Sequence, residues 1–270
     1  MSKVTELETK ARTIREDILK MLTKAGSGHP GGSLSAADIL AVLYFEELKV
    51  DSDNPEWEDR DRFVLSKGHA APVLYAALAE KGFFPKEDLL KLRSLEGHLQ
   101  GHPDLNKTPG VDMTTGSLGQ GFSAALGMAL AGKLDQKDYR VFVMLGDGEL
   151  QEGQVWEGAL AASHHKLDNL IGIVDNNRVQ LVDRTEEIIE VEPITDKFSA
   201  FGWHVIEIEG HDLEQIRDAF SQADQITGQP VMIVANTIKG KGVSFMEDTA
   251  AWHGKAPDDE KYQEALVELE

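Results

Sequence analysis

The sequence contains no cysteine, and this absence excludes several kinds of chemistry. Without thiols the chain has no disulfide framework, no thiolate metal site and no cysteine nucleophile. It also lacks any apolar run near the ~20 residues that a membrane-spanning helix needs. Its N-terminal residues are polar and charged, so a secretory signal is not expected. We therefore expect a soluble, cytoplasmic protein without a membrane partner.

Positive charge is scarce as well. The chain has 27 Lys and Arg residues but 47 Asp and Glu residues, which gives a net charge of −20. Binding to a nucleic-acid backbone requires a basic surface, so nucleic acid is not an expected partner. Such a chain also repels an anionic phosphate ligand unless a metal ion or local donors offset the field. A diphosphate–metal complex meets this condition.

Short apolar runs alternate with helical patterns in the second half of the chain. From Tyr139 onward we predict strand, helix, strand, loop, strand, helix and strand, which is the α/β pattern of a mostly parallel β-sheet flanked by helices on both faces. A chain of 270 residues can form one large α/β domain or two small ones. Because we find no internal linker, we predict a single domain over residues 1–270, with a polar C-terminal tail from about residue 255 that forms a short surface helix.

The first half of the chain is predicted to be mainly helical. Apolar residues at steps of three and four predict an amphipathic helix over 4–24. Further helices are predicted over 36–45, 72–80, 84–95 and 121–134, with one short strand over 62–66. Two stretches rich in glycine, 26–32 and 97–115, are interpreted as loops.

Two polar clusters follow neighbouring predicted strands. Asp147, between two glycines, closely follows the apolar run 141–145, and Asn177 ends the cluster Asp175–Asn177 after the run 170–174. Ligands of an open α/β sheet bind at the carboxyl ends of its strands. One carboxylate, one amide and nearby carbonyls suit a hard cation such as Mg²⁺ that keeps positions for phosphate oxygens. Each cluster alone is more typical of an ordinary turn, but together they predict a metal site.

Histidine is the second signal. Glycine lets the backbone approach a ligand closely, and imidazole can relay protons near neutral pH. Among the histidines that stand beside glycine, we interpret four in loops or at element ends as a functional group: His29, His69, His102 and His253. Four others are interpreted as structural: His164, His165, His204 and His211. His98 stays unassigned.

Three weaker signals allow two interpretations each. The run Thr114–Gly121 can cradle phosphate through backbone N–H groups, or it can be a close-packing turn. Lys239 and Lys241 fit an exposed basic turn or a flexible loop over an anionic ligand. Glu149 and Glu152 fit stabilisation of a helix N-terminus, and Glu152 also fits a proton network.

Together these residues resemble transketolase, a family of thiamine-diphosphate enzymes. The resemblance is carried by the stretch from Gly146 to Asn177 and by the runs SGHPGG, LSKGHAAPVLYA, TTGSLGQGFSAALGMA and WHG, in family order. It covers nearly the whole chain but only the N-terminal, diphosphate-binding part of the family, whose members are more than twice as long. The resemblance therefore implies a thiamine-diphosphate-binding fold and the N-terminal subunit of a split transketolase.

The resemblance also implies cofactors, a partner and roles for particular residues. Thiamine diphosphate would be held by Mg²⁺, or by Ca²⁺ or Mn²⁺ in its place. A C-terminal subunit with the pyrimidine-binding half would complete an α2β2 heterotetramer. The implied metal ligands are Asp147, Asn177 and the carbonyl of Val179. The implied cofactor contacts are Gly116, Leu118, Gly148, His69, Asn177 and His253. The implied catalytic residues are His29, His69, His102, His253 and Glu152, the last near a carboxylate network between chains.

The implied reaction is the transfer of a two-carbon ketol unit from a ketose phosphate to an aldose phosphate, as in the pentose phosphate pathway. Two alternatives stay open. One is the α-type subunit of another thiamine-diphosphate enzyme, either a 2-oxo-acid dehydrogenase or an enzyme like deoxyxylulose-phosphate synthase. The other is a non-catalytic assembly subunit. The runs SGHPGG and GHP favour transketolase because their histidines would serve the hydroxyls of a sugar.

Overall fold

A computed structural model of the protein describes residues 2–270. Its centre is a five-stranded sheet in the order β1-β2-β3-β5-β4, and all neighbouring strands run parallel. The strands are β1 (Arg62–Leu65), β2 (Val141–Gly146), β3 (Leu170–Asn176), β4 (His204–Glu209) and β5 (Val231–Asn236). The predicted α/β class with a parallel sheet is confirmed.

Helices cover both faces of this sheet. The α-helices are α1 (Lys3–Ala25), α2 (Pro30–Leu34), α3 (Ala37–Val42), α4 (Ala71–Lys81), α5 (Gln120–Leu134), α6 (Gly153–His164), α7 (Thr185–Ile188), α8 (Ile194–Ala200), α9 (Leu213–Ala223) and α10 (Asp259–Leu269). A π-helical turn, Leu43–Glu47, continues α3, and 3₁₀ segments span Gly68–Ala70, Lys86–Lys91, Gly148–Gln151 and Ala250–Trp252. In the described part of the chain no helix is long and apolar enough to cross a membrane.

Alternate side chains of each central strand enter different cores. Phe142 and Met144 of β2 pack with residues of α1, α3, α4 and α9. Val141 and Val143 point to the opposite face and pack with α5, α6 and α8. Because both faces are covered, β2 is apolar at successive positions and not only at every second one. This explains why a continuous apolar run predicted the strand correctly.

Helix α1 shows how local sequence fixes the ends of an element. The Ser2 hydroxyl accepts a hydrogen bond from the N–H of Thr5 at the start of the helix, and Gly26, with φ +63°, ends it in the left-handed region. Its apolar face is buried against α3, α4 and α10. The C-terminal helix α10 is largely exposed, but Ala265 is fully buried.

Three predictions of local structure are wrong. Residues 30–34, predicted as loop, form α2, because Pro30 suits a first helical turn and close packing outweighs the low helix propensity of two glycines. Residues 84–95, predicted as a helix, contain only the 3₁₀ segment 86–91, since Pro85 precedes it and Arg93 adopts φ +59° after it. The predicted loop between β3 and β4 contains α7 and α8.

Candidate functional site

The carboxyl ends of β2 and β3 lie side by side, with Gly146 paired to Asp175. The chain leaves each strand in a tight turn, and a cavity of about 200 Å³ opens between the two turns. Residues from the β1–α4 connection and from the segment after β5 complete its wall. The predicted site residues that line this cavity are His69, Leu118, Asp147, Gly148, Asn177, Val179 and His253.

Asp147 is a buried carboxylate at the end of β2, with 3% of its surface exposed. Its Oδ1 accepts a hydrogen bond from the N–H of Gly148 at 2.8 Å, and its Oδ2 accepts one from the N–H of Arg178. Burial, followed by the negative charge of Asp175, raises the pKa of Asp147 to about 6. A cation at this position would favour the ionised form.

The turn after β3 presents an amide and a carbonyl. Asn177 accepts from the N–H of Val179 at 3.2 Å and donates to Asp175 at 3.1 Å, so its side chain is fixed. The Val179 carbonyl accepts from Lys239 Nζ at 2.6 Å and therefore already faces a positive charge. Within residues 2–270 no three His, Asp or Glu side chains form a metal-binding group. A cation here would use one carboxylate, one amide and one carbonyl, with its remaining ligands from phosphate and water.

Asp175 is the centre of a buried network that could not be found from the sequence. Its carboxylate accepts from Lys67 Nζ, from the Thr237 hydroxyl and, at 2.7 Å, from the Ser35 hydroxyl. Lys67 also donates to the Gly32 carbonyl at 2.7 Å. Burial opposes the ionisation of Asp175, but the charge of Lys67 and the hydrogen bonds outweigh it and lower the pKa below its ordinary value. The network joins the ends of three strands to the α2–α3 segment.

His29, His69 and His253 form one cluster, with ring centroids 5.2 to 5.3 Å apart. Burial is the main cause that lowers the pKa of His29 to about 4, of His253 to about 3, and of His69 well below its ordinary value. The charges of Lys67 and Lys239 contribute in the same direction. The three rings are therefore neutral at pH 7, and each has one donor and one acceptor nitrogen.

His102 does not line the cavity and is exposed in the free chain. The Tyr75 hydroxyl donates to the His102 carbonyl at 2.9 Å and fixes the backbone there. A Cβ atom added to Gly116 would lie 3.2 Å from the His102 ring, so Gly116 lets the ring approach the backbone closely. The structure thus places His102 beside Gly116, outside the close contact of the three clustered rings.

The two glutamates after Asp147 have different environments. Glu152 does not line the cavity and is exposed, with its Cβ 3.3 Å from the position that a Cβ on Gly119 would take. Glu149 is buried and accepts from the Ser66 hydroxyl at 2.5 Å and from the N–H of Gly119 at 2.7 Å. Burial raises the pKa of Glu149. The sequence around the two residues does not predict which one is buried, because the partners of Glu149, Ser66 and Gly119, lie far from it along the chain.

Lys239 is buried, so the interpretation as an exposed basic turn is wrong for this residue. It is 2% exposed, and its Nζ contacts the Val179 carbonyl and His253 Nδ1, the latter at 2.9 Å. Burial lowers its pKa to about 8. Lys67 lines the same cavity, so two ammonium groups offset the negative field of the chain for an anionic ligand. Lys241 points elsewhere and pairs with Glu247 at 3.6 Å.

Comparison with known proteins agrees with this geometry. Residues 7–268 match the family described as "Transketolase, thiamine diphosphate binding domain". The chain is 49% identical to the 6-deoxy-6-sulfo-D-fructose transketolase subunit SqwG of Clostridium sp. (strain MSTE9), over 98% of this chain and 96% of that one. It is 42% identical to an apulose-4-phosphate transketolase subunit of Phocaeicola vulgatus, over 98% of this chain and 94% of that one.

A solved structure gives the same result. Transketolase from Campylobacter jejuni superposes with a TM-score of 0.94 and 36% identity, over 99% of this chain and 43% of that one. The chain thus spans nearly the full length of the two subunit relatives and less than half of the Campylobacter protein. The predicted resemblance to an N-terminal transketolase subunit is confirmed. The chain belongs to the transketolase family and corresponds to the N-terminal, thiamine-diphosphate-binding part of its longer members.

Proposed function

We propose that this chain works with a C-terminal partner chain to transfer a two-carbon ketol unit from a ketose phosphate to an aldose phosphate. The observation that carries the proposal is one cavity that combines the oxygen atoms of Asp147, Asn177 and Val179 with the rings of His69 and His253. We further propose that residues 1–270 act as a single diphosphate-binding domain. A location in the cytoplasm stays a prediction from the sequence.

The cofactor we propose is thiamine diphosphate with Mg²⁺, or with Ca²⁺ or Mn²⁺ in its place. Asp147, Asn177 and the Val179 carbonyl would bind the cation, while Lys67 and Lys239 border the same cavity and suit a diphosphate. The cavity volume of about 200 Å³ is below the roughly 300–1,000 Å³ of pockets that enclose a drug-sized ligand. It fits the diphosphate with its cation and leaves the ring system to a second chain.

We propose roles for four further residues. Leu118 lines the cavity, and we propose that Leu118 and Gly116 contact the aminopyrimidine ring. Gly148 would contact the diphosphate through its backbone, since a Cβ there would lie 3.1 Å from Gln180 Oε1. Glu152 is exposed beside Gly119, and we propose that it faces the partner chain and its carboxylate network.

Helix α5 supports the need for a partner. Its sequence is apolar on nearly all sides, yet only one stripe is buried in the free chain: Gly121, Phe122, Ala125, Ala129 and Gly132. A helix that is apolar all round is normally enclosed within a larger protein. Leu134 of α5 and Leu160 of the adjacent α6 are 74% and 61% exposed. The relatives of equal length are named as subunits, which also supports a separate partner; its α2β2 stoichiometry is our proposal.

Bound thiamine diphosphate supplies a nucleophilic carbon that carries the two-carbon unit between sugars. The chain itself would orient the sugar and move protons. The neutral rings of His29, His69 and His253 can each donate and accept hydrogen bonds with sugar hydroxyls, and we propose that His102 adds a further contact. Acid–base assistance of this kind contributes roughly 10²–10⁴-fold to a rate.

The experiment that tests this function is reconstitution with a pyrimidine-half chain. We expect ketol transfer from xylulose 5-phosphate to an aldose phosphate by the mixture, dependent on the cation and on thiamine diphosphate, and little transfer by either chain alone. A sulfonated ketose belongs in the donor panel, because the two relatives are named for different sugars. Native mass spectrometry of the mixture tests the stoichiometry.

The alternatives predict other results in the same assay. Turnover of pyruvate without ketol transfer would favour a 2-oxo-acid dehydrogenase subunit. A complex without cation-dependent binding of thiamine diphosphate would favour a non-catalytic subunit. Robust ketol transfer by the purified single chain would contradict the dependence on a partner.

A further inference from the structure

The turn that carries Lys239 is held on both sides by residues outside the cavity. Before it, the N–H of Ile238 donates to His211 Nε2 at 2.8 Å. After it, the Lys241 carbonyl accepts from Arg15 Nε at 3.1 Å. Arg15 belongs to α1, whereas His211 lies between β4 and α9, so two distant segments hold the two ends of one turn.

Asp38 of α3 joins these two contacts. Its carboxylate accepts from the Arg15 guanidinium at 3.0 and 2.5 Å and lies 2.7 Å from His211 Nδ1. Asp38 and Arg15 are only 7% and 8% exposed. Burial opposes the ionisation of Asp38, but the charge of Arg15 and the bond from His211 outweigh it and lower the pKa. The ionised carboxylate therefore fixes the orientation of both neighbours.

The two bonds of His211 also define its protonation. Nε2 faces a backbone N–H, which can only donate, so Nε2 must accept and carries no proton. Nδ1 then carries the proton and donates to Asp38. The ring is a link of fixed length between α3 and the N–H of Ile238.

The middle of the turn has its own support. The N–H of Gly240 donates to the Gly31 carbonyl at 2.9 Å, and the N–H of Asp248 donates to the Lys239 carbonyl at 2.9 Å. Gly242 has φ +93°, at which a side chain would be strained, and a Cβ there would lie 2.9 Å from Leu269 Cδ2 and 3.3 Å from Arg15 Cδ. Loss of one end contact should therefore loosen the turn without unfolding it.

We propose that Arg15, Asp38 and His211 are positioning residues that hold the ammonium group of Lys239 in the cofactor cavity. None of the three lines that cavity. Without His211 the N–H of Ile238 loses its acceptor, and the Lys239 ammonium is held less firmly between its two partners in the cavity. One part of this inference rests on the proposed function, namely that the Lys239 ammonium group binds a diphosphate.

The test uses substitutions in the full chain that each remove the hydrogen bond of one His211 nitrogen and keep that of the other. His211→Asn can replace the Nδ1 donor to Asp38 but cannot reach Ile238, whereas His211→Gln can supply an acceptor to Ile238. Asp212→Ala is the matched control, because Asp212 caps α9 by accepting from the N–H groups of Glu214 and Gln215 and does not touch the turn.

The readouts are hydrogen exchange of the Ile238 amide, the acetylation rate of Lys239 by mass spectrometry, and the affinity for inorganic pyrophosphate with Mg²⁺ by calorimetry. We expect His211→Asn to speed both exchange and acetylation and to weaken pyrophosphate binding roughly tenfold. We expect His211→Gln and Asp212→Ala to stay near wild type in all three readouts, although Asp212→Ala unfolds at a lower temperature.

Unchanged exchange at Ile238 in His211→Asn would overturn the inference, as would faster exchange with unchanged pyrophosphate affinity. The same changes in Asp212→Ala would show general destabilisation and also reject it. A wild-type chain that does not bind Mg²⁺ with pyrophosphate would contradict the proposed function instead. In that case exchange at Ile238 and acetylation of Lys239 still decide whether His211 holds the turn.

Discussion

The ionised side chain of Asp147 destabilises the folded free chain, and its proposed function in cation binding explains why. Burial raises its pKa to about 6, above the ordinary value of 3.8. The folded chain therefore binds this proton more tightly than the unfolded chain, so the ionised carboxylate lowers stability above about pH 6. The penalty disappears below about pH 4, where both states are protonated. A bound cation would remove it at neutral pH.

Asp147→Asn should therefore remove this pH-dependent penalty and abolish cation binding. The variant also leaves one backbone N–H, of Gly148 or of Arg178, without an acceptor at every pH. Relative to wild type, we expect the free energy of unfolding of the variant to be about 1–2 kcal/mol higher at pH 8 than at pH 4. Urea unfolding at both pH values and calorimetry with Mg²⁺ and pyrophosphate measure these effects. The exposed Asp138→Asn is the control. Equal stabilisation at both pH values, or retained cation-dependent binding, would contradict the expectation.

Site residues that stand in a local pattern could be found from the sequence, whereas those that act through distant contacts could not. Asp147 follows an apolar run, and His69 stands beside glycine, so both are visible in one short window. Lys67 and Asp175 are 108 positions apart and form their ion pair only in the folded chain. His211 was interpreted as structural, because the sequence does not show its contact with Asp38.

At the scale of elements, the turn after β5 depends on a glycine that tolerates no side chain. Gly240 has φ +79°, and a Cβ there would lie 2.3 Å from the Met246 carbonyl oxygen. Gly228 has nearly the same φ, +77°, but a Cβ there would meet nothing within 4 Å. A side chain at Gly228 would therefore meet only the strain of the left-handed conformation. A side chain at Gly240 would meet that strain and also collide with the backbone.

Gly228→Ala and Gly240→Ala form a matched pair. We expect Gly228→Ala to lower the free energy of unfolding by about 1–2 kcal/mol, which is the cost of a left-handed alanine. Gly240→Ala should cost more, because the collision is added, and should weaken pyrophosphate binding by displacing Lys239. Urea unfolding and calorimetry on both variants measure this. Equal losses of stability would mean that the turn relaxes around the new methyl group.

Elements were predictable where one physical cause dominates. The strands β2 and β3 are buried on both faces, so apolar runs marked them, and the 3.6-residue period marked α1. Helix α2 was missed because its two glycines disfavour a helix, and only packing in the folded chain outweighs that preference. The 86–91 segment has helical composition but stays a short 3₁₀ turn, since its flanking backbone leaves the helical region.

At the scale of the whole molecule, charge is the dominant long-range property. A net charge of −20 on 270 residues destabilises the compact state through self-repulsion. Salt shortens the range of this repulsion from about 30 Å at 0.01 M to about 8 Å at 0.15 M. The buried ammonium groups of Lys67 and Lys239 lie within this negative field and remain locally effective because solvent screens them little.

Added salt should therefore stabilise the free chain. Between 0.01 and 0.15 M NaCl we expect the unfolding midpoint to rise by roughly 2–4 °C, equivalent to about 1 kcal/mol. Differential scanning calorimetry at pH 8 measures it, and sucrose of equal osmolarity is the uncharged control. A midpoint that falls with NaCl would show that attractive ion pairs outweigh the net repulsion.

The contact between Lys239 and the Val179 carbonyl has a consequence for the order of ligand binding. In the free chain the Lys239 ammonium group already donates to the carbonyl oxygen that we propose as a ligand of the metal ion. A bare metal ion bound to this oxygen would lie close to the ammonium group, and the two like charges would repel each other. An anion that arrives with the metal ion would offset both charges. We therefore expect the chain to bind Mg²⁺ together with a diphosphate more tightly than Mg²⁺ alone.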